Sequence, residues 1–213
     1  MTIYQSASPT RLSSGIGRQW MLANTVAYSA ALPIFALIAE GFGGPEDTMR
    51  SNISHVIGLL VAGVIVGVAQ WLILRSHFRR TGWVVLANSA GWLLGFLGGF
   101  LVVGPPFDFT LGFLVSGLLS SVMLWPVLKR QGMSGGWWVA ANAGGWIVAG
   151  AVVLAVVFAL ADGLDGAVGS GLVGFLAVVT MIGAVGGLVG GSITGIALQW
   201  IVRQSTWWAG ELA

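Results

Sequence analysis

Six stretches of this chain are apolar for long enough to cross a bilayer as helices, and that leaves few alternatives for its fold. A membrane-spanning helix needs about 20 mostly apolar residues. Such runs extend roughly from Trp20 to Ala39, Ile53 to Leu74, Trp83 to Val103, Leu111 to Leu128, Trp137 to Leu160 and Leu172 to Val202. Short connections rich in Gly, Pro and Asp separate them, among them Gly43-Gly44-Pro45-Glu46-Asp47 and Gly104-Pro105-Pro106, as expected of loops. Only 8% of the residues are charged, where a soluble domain carries about 25%. The expected fold is an all-α integral membrane domain of six transmembrane helices.

The charges predict its orientation. Arg11 and Arg18 precede the first span, Arg75, Arg79 and Arg80 follow the second, Lys129 and Arg130 follow the fourth, and Arg203 follows the sixth. Eight of nine cations thus fall on one side, and six of seven acids (Glu40, Glu46, Asp47, Asp108, Asp162, Asp165) on the other. Arg50 and Glu211 break the pattern. Cation-rich loops stay in the cytoplasm, which predicts both termini inside. The domain boundaries read as a cytoplasmic tail over 1–18, a transmembrane domain over 19–208, and a second tail over 209–213. The polar stretch before Arg18 has no short apolar core ending in a cleavage site, so it does not read as a secretory signal. The last span is overlong: Leu172 to Val202 would measure about 46 Å as a helix, against a hydrocarbon core of about 30 Å. It must protrude or be broken.

The chain repeats itself three times. Ala23-Asn24-Thr25-Val26-Ala27-Tyr28, Ala87-Asn88-Ser89-Ala90-Gly91-Trp92 and Ala141-Asn142-Ala143-Gly144-Gly145-Trp146 share one pattern near the start of the odd-numbered spans. The even spans end alike, with Gln70-Trp71 and Gln199-Trp200; the fourth has Leu124-Trp125-Pro126, its Gln replaced. The unit is a helical hairpin, over about 19–76, 81–130 and 136–204, each entering from the same side as a parallel repeat. Small residues recur every four positions: Gly91, Gly95 and Gly99 in the third span, Gly145 with Ala141 and Ala149 in the fifth, and Gly183, Gly187, Gly191 and Gly195 in the sixth. That spacing puts each set on one helix face, where backbones approach closely.

These segments resemble a group of uncharacterised multi-pass bacterial membrane proteins, frequent in phototrophic lineages, with repeated Gln-Trp-x-x-Leu-Arg and Trp-x-x-x-Ala-x-x-x-Gly-Trp hairpins. Gln70, Trp71 and Arg75 match, as do Trp83, Ala87, Gly91 and Trp92, then Trp138 and Trp146, then Gln199 and Trp200; the fourth span departs at Leu124 and Pro126. The resemblance covers about Trp20 to Trp208. It implies a multi-pass fold in a bacterial inner or internal photosynthetic membrane, and no particular activity.

Five amides lie at similar depth in the spans: Asn24, Asn88, Asn142, Gln70 and Gln199. An unpaired amide in hydrocarbon is costly, so each should find a partner. They either tie the hairpins together or form a polar ring that binds a ligand, a lipid headgroup or a pigment metal being examples. Tyr28, Trp92 and Trp146 each follow an Asn by four residues on the same face, and together could wall an apolar pocket. Most of the 11 tryptophans fall near the cytoplasmic boundary and read as an interfacial belt.

What is missing matters as much. The chain has no cysteine, which excludes disulfides, thiolate nucleophiles and Cys-bound clusters. The spans contain no Lys, Arg or Asp, and Glu40 and His55 sit only at helix ends, whereas pumps and ion pathways use intramembrane ionisable groups. His55 and His77 fall on opposite sides and cannot share a metal. Gly169-Ser170-Gly171-Leu172-Val173-Gly174 spells a dinucleotide fingerprint without the preceding strand that motif needs. The cations form no continuous track for nucleic acid. The expected function is therefore that of a non-enzymatic accessory or scaffold subunit, packing against a membrane complex or another copy of itself. The alternative is a binding or transport protein for a neutral or apolar small molecule (lipid, quinone, pigment or vitamin-like) at the Asn/Gln–Trp layer. No metal or cofactor is required; membrane lipids are the surrounding partners.

Overall fold

A computed structural model describes residues 9–42, 48–77, 81–103, 108–129, 135–160, 163, 169 and 171–211. All the regular structure in them is helical: α1 (Pro9–Phe42), α2 (Thr48–Leu74), α3 (Trp83–Val103), α4 (Asp108–Lys129), α5 (Gly135–Ala159) and α6 (Leu172–Glu211). Without water to satisfy backbone N–H and C=O groups, an apolar run must bond internally. Helices α1, α2, α5 and α6 are long and apolar enough to cross a membrane. In α3 and α4 the apolar helix with described side chains is shorter, Trp83–Gly95 and Gly117–Pro126. Segments 43–47, 78–80, 104–107, 130–134, 161–162, 164–168 and 170 lie outside the described residues, Glu46, Asp47, Arg79, Arg80, Arg130, Asp162 and Asp165 among them, as do the surroundings of Gly99.

The helices outrun their apolar cores, because hydropathy marks the part that suits lipid rather than the part that is helical. Helix α1 begins at Pro9, inside the stretch read from sequence as a tail; a proline fits a first turn, whose N–H groups lack intrahelical partners anyway. Helix α6 is one unbroken helix of 40 residues, roughly 60 Å long, so of the two expectations for the overlong last stretch a broken helix is not what is found. Its start is set by Gly171, whose φ of 92° suits a residue without a Cβ and whose carbonyl accepts from the Phe175 N–H at 3.0 Å. The would-be dinucleotide loop is this helix start.

Each helix packs against its neighbours in sequence, and α6 returns to pack against α1, so the six form a closed ring. Every joint of the ring contains a glycine. A Cβ on Gly58 (α2) would meet the Phe35 ring of α1 at 2.8 Å; on Gly63 and Gly67 (α2), the Ser89 and Val85 Cα atoms of α3 at 2.6 and 2.7 Å. Gly91 (α3) faces Ser120 of α4, Gly117 (α4) faces the Trp146 ring of α5, and Gly145 (α5) faces Thr194 of α6. The closing joint has the longest run of such approaches. A Cβ on Gly187 would lie 2.7 Å from the Asn24 carbonyl oxygen, on Gly191 3.0 Å from the Asn24 Cβ, on Gly195 2.5 Å from the Gly17 carbonyl oxygen, and on Gly183 hard against the Tyr28 carbonyl. For helices able to cross a membrane, where lipid supplies no hydrophobic force between them, such close backbone approach is a means of holding together.

Two clusters of buried side chains fill the ring. One gathers Ile16, Trp20, Leu74, Val84, Leu124, Leu128, Trp138, Leu198 and Ile201; the other, Tyr28, Ala31, Leu32, Phe35, Leu59, Val66 and Trp92. This corrects the aromatic belt in part. Trp83, Trp125, Trp137 and Trp200 are exposed, but Trp20 and Trp138 are each only 1% exposed. Both sit four residues before an Asn, on the inward face that the Asn must occupy.

Candidate functional site

The predicted amides come together in part. Asn24 on α1, Gln70 on α2 and Asn88 on α3 form one chain of hydrogen bonds. The Gln70 Nε2 donates to Asn24 Oδ1 at 2.9 Å, and the Asn88 Nδ2 donates to Gln70 Oε1 at 2.9 Å. The outer ends are tied to their own helices: Asn24 Nδ2 donates to the Trp20 carbonyl at 2.8 Å and Asn88 Nδ2 to the Val84 carbonyl at 3.0 Å. All three amides are buried, and the chain stitches α1, α2 and α3 together.

Asn142 stands apart. Its Nδ2 donates to Ser121 Oγ and, at 3.3 Å, to the Gly117 carbonyl, while Ser121 Oγ donates to Gly117 at 2.6 Å. The fourth span carries Leu124 where the others carry Gln, and Ser121, one turn earlier, answers Asn142 instead. Gln199 joins neither group; among the described residues its side chain packs beside Gly17 without a hydrogen bond. Thr194, also missed from sequence, accepts the Trp20 indole N–H at 2.9 Å and donates to the Gly190 carbonyl at 2.7 Å. A hydroxyl midway along an apolar span was the only signal for Ser121 and Thr194.

The aromatic trio does meet. The Tyr28 ring lies 4.7 Å from Trp146 and 5.7 Å from Trp92, centroid to centroid, spacings typical of attractive ring pairs. The Trp92 N–H donates to the Tyr28 hydroxyl. Tyr28 and Trp146 form the floor of a cavity of about 400 Å³ between α1, α5 and α6, with Trp92 behind Tyr28 and outside the lining. None of the five amides lines it.

The cavity has a cause in the sequence. The glycine stripe of α6, read from Gly195 back to Gly183 at four-residue steps, continues as Val179 and Phe175, both of which line the cavity. On α5 the stripe Ala141, Gly145, Ala149 continues as Val153 and Val157, again in the lining. The cavity thus runs along the stretch where Gly183 and Ala149 give way to larger residues on the two stripes. The walls are apolar throughout; polar side chains appear at the far end, where Glu40 of α1 and His55 of α2 form the rim. A concave apolar site with a few placed polar groups is the usual form of a small-molecule site. Among the described residues no group of His, Asp and Glu is placed to hold a metal ion. His55 lies in the first turns of α2 and His77 in the turn just past its other end.

Fold and cavity together define an all-α protein with helices able to cross a membrane and an apolar pocket between them. No protein-family model matches the chain, and no curated protein or solved structure matches it.

Proposed function

We propose that this chain is a multi-pass membrane protein that binds an apolar or amphipathic small molecule, without catalysis, in the cavity between α1, α5 and α6. The observation that carries the reading is the apolar 400 Å³ cavity floored by Tyr28 and Trp146. In this reading the six helices are three parallel hairpin repeats with both termini in the cytoplasm, and the membrane is a bacterial inner or photosynthetic one. The charge distribution supports that orientation. The cavity then lies in the outer half of the bilayer, rim outward. Its location shifts the ligand away from the Asn/Gln layer, where Asn24, Gln70 and Asn88 are engaged with one another and Asn142 with Ser121.

The test is native mass spectrometry of the protein gently extracted from its own membranes, beside a Val153→Trp variant whose indole would fill the cavity. A small molecule at fixed stoichiometry, lost in the variant, supports the reading. An unliganded wild type, or retention in the variant, overturns it.

A second reading, an accessory or scaffold subunit, draws on the outward surfaces of α5 and α6. Only 17% of each of their apolar windows is buried, against 39% in α1 and α2. The glycine stripe of α6 gives this reading no support, because α1 already occupies it. A lone monomer under the same mild extraction would count against the scaffold reading.

A further inference from the structure

We propose that the cavity selects an amine-bearing amphiphile, its protonated nitrogen held at the rim by Glu40 and His55 and its apolar body reaching down to Tyr28 and Trp146. The inference rests on the binding reading above and adds the chemical class and orientation of the ligand.

The rim offers acceptors. Glu40 presents a carboxylate. The His55 Nδ1 lies 2.7 Å from the Ser51 carbonyl oxygen, which can only accept, so Nδ1 carries the hydrogen. In the neutral ring this leaves Nε2 as a lone-pair acceptor. The ring orientation is fixed a second time by Phe35, which meets it edge to face with centroids 5.9 Å apart. A ligand head placed here must therefore supply donors or positive charge. A carboxylate head would meet the Glu40 charge, and a bare hydrocarbon end would leave both acceptors to water.

The surroundings favour the same sign. In sequence the rim belongs to the side that carries Glu40, Glu46, Asp47, Asp108, Asp162 and Asp165 against Arg50 alone. In sequence that excess of carboxylates gives this side the sign that attracts cations. Beneath the rim the walls are Leu32, Phe35, Val153 and Val179, with no polar side chain until the aromatic floor. Tyr28 and Glu40 are three helical turns and a little more apart, a depth of roughly 18 Å, so the site is long enough for an extended chain lying along α1.

The experiment uses three probes with one tail: dodecylammonium, dodecanol and dodecanoate. Each is added to the full chain in phosphatidylcholine nanodiscs, and bound copies are counted by native mass spectrometry against protein-free discs. The wild type should bind one dodecylammonium about fivefold more tightly than dodecanol, the scale of an ion pair at an exposed site, and dodecanoate most weakly. Glu40→Gln, at an exposed position, should remove the preference for dodecylammonium over dodecanol; Val153→Trp should abolish binding of both. Circular dichroism melting establishes that each variant is folded. Equal binding of dodecylammonium and dodecanol, or a preference that survives Glu40→Gln, overturns the choice of ligand class while the cavity reading stands. Binding of every probe that survives Val153→Trp overturns both.

Discussion

The indole rings of Trp20 and Trp138 meet edge to face with centroids 5.5 Å apart, yet their N–H groups fare differently. Trp20 donates to Thr194 at 2.9 Å. Trp138 Nε1 is buried with no hydrogen-bond partner among the described residues. Both rings lose similar packing on truncation, so the hydrogen bond separates them. Trp20→Phe is expected to destabilise the protein by about 1 kcal/mol more than Trp138→Phe, read from unfolding in mixed micelles with a denaturing detergent. Equal losses would contradict the assignment.

The amide chain gives a second contrast. Gln70→Leu removes two side-chain hydrogen bonds and leaves Asn24 Oδ1 without its donor. Bonds of this kind within membranes contribute about 0.6 kcal/mol on average and at most about 1.7, so a loss of about 1–2 kcal/mol is expected. Gln199→Leu, at a site with no side-chain hydrogen bond among the described residues, should stay within about 0.5 kcal/mol of wild type. The same unfolding measurement decides, and reversed magnitudes would reject the geometry.

Glycines divide the same way. A methyl group on Gly187 would press on the backbone of Asn24 at 2.7 Å, with no flexible side chain to yield. Gly187→Ala should destabilise by about 1–3 kcal/mol. Gly144, in α5, has nothing within 4 Å of its would-be Cβ; Gly144→Ala should be neutral or stabilising by up to about 1 kcal/mol through helix propensity.

Orientation is directly testable because the chain has no native cysteine. Asn52→Cys and Ser76→Cys place single thiols at exposed positions at opposite ends of α2. A membrane-impermeant maleimide should label the first in intact cells and the second only after permeabilisation. The inverse result would reverse the topology.

The sequence showed helices, their number and their order plainly, because a bilayer allows an apolar run of 20 residues little else. It also showed that Tyr28, Trp92 and Trp146 belong together, since each repeats at one offset from an Asn. The register between helices was not legible. Gln70 and Gln199 look alike in sequence, yet one bridges two asparagines and the other packs beside a glycine backbone. Ser121 took the place that Leu124 vacated, a substitution one turn away that alignment by identity does not reveal. Trp20 and Trp138 were hidden for a different reason: an indole suits both a lipid headgroup boundary and a packed interior, and only the neighbouring helices decide. The cavity was present in the sequence as the change from Gly to Val and Phe along one stripe, but a stripe acquires meaning only once its facing helix is known.

Closure of the ring joins α1 to α6, the two helices farthest apart in sequence among the described residues. Until α6 packs, the face of α1 over Gly17, Met21 and Thr25 has no partner helix. Such a contact between distant parts of a chain forms late and slowly. The same arrival supplies Phe175 and Val179, one wall of the cavity. A chain lacking Leu172 onward would therefore be an open arc without this cavity.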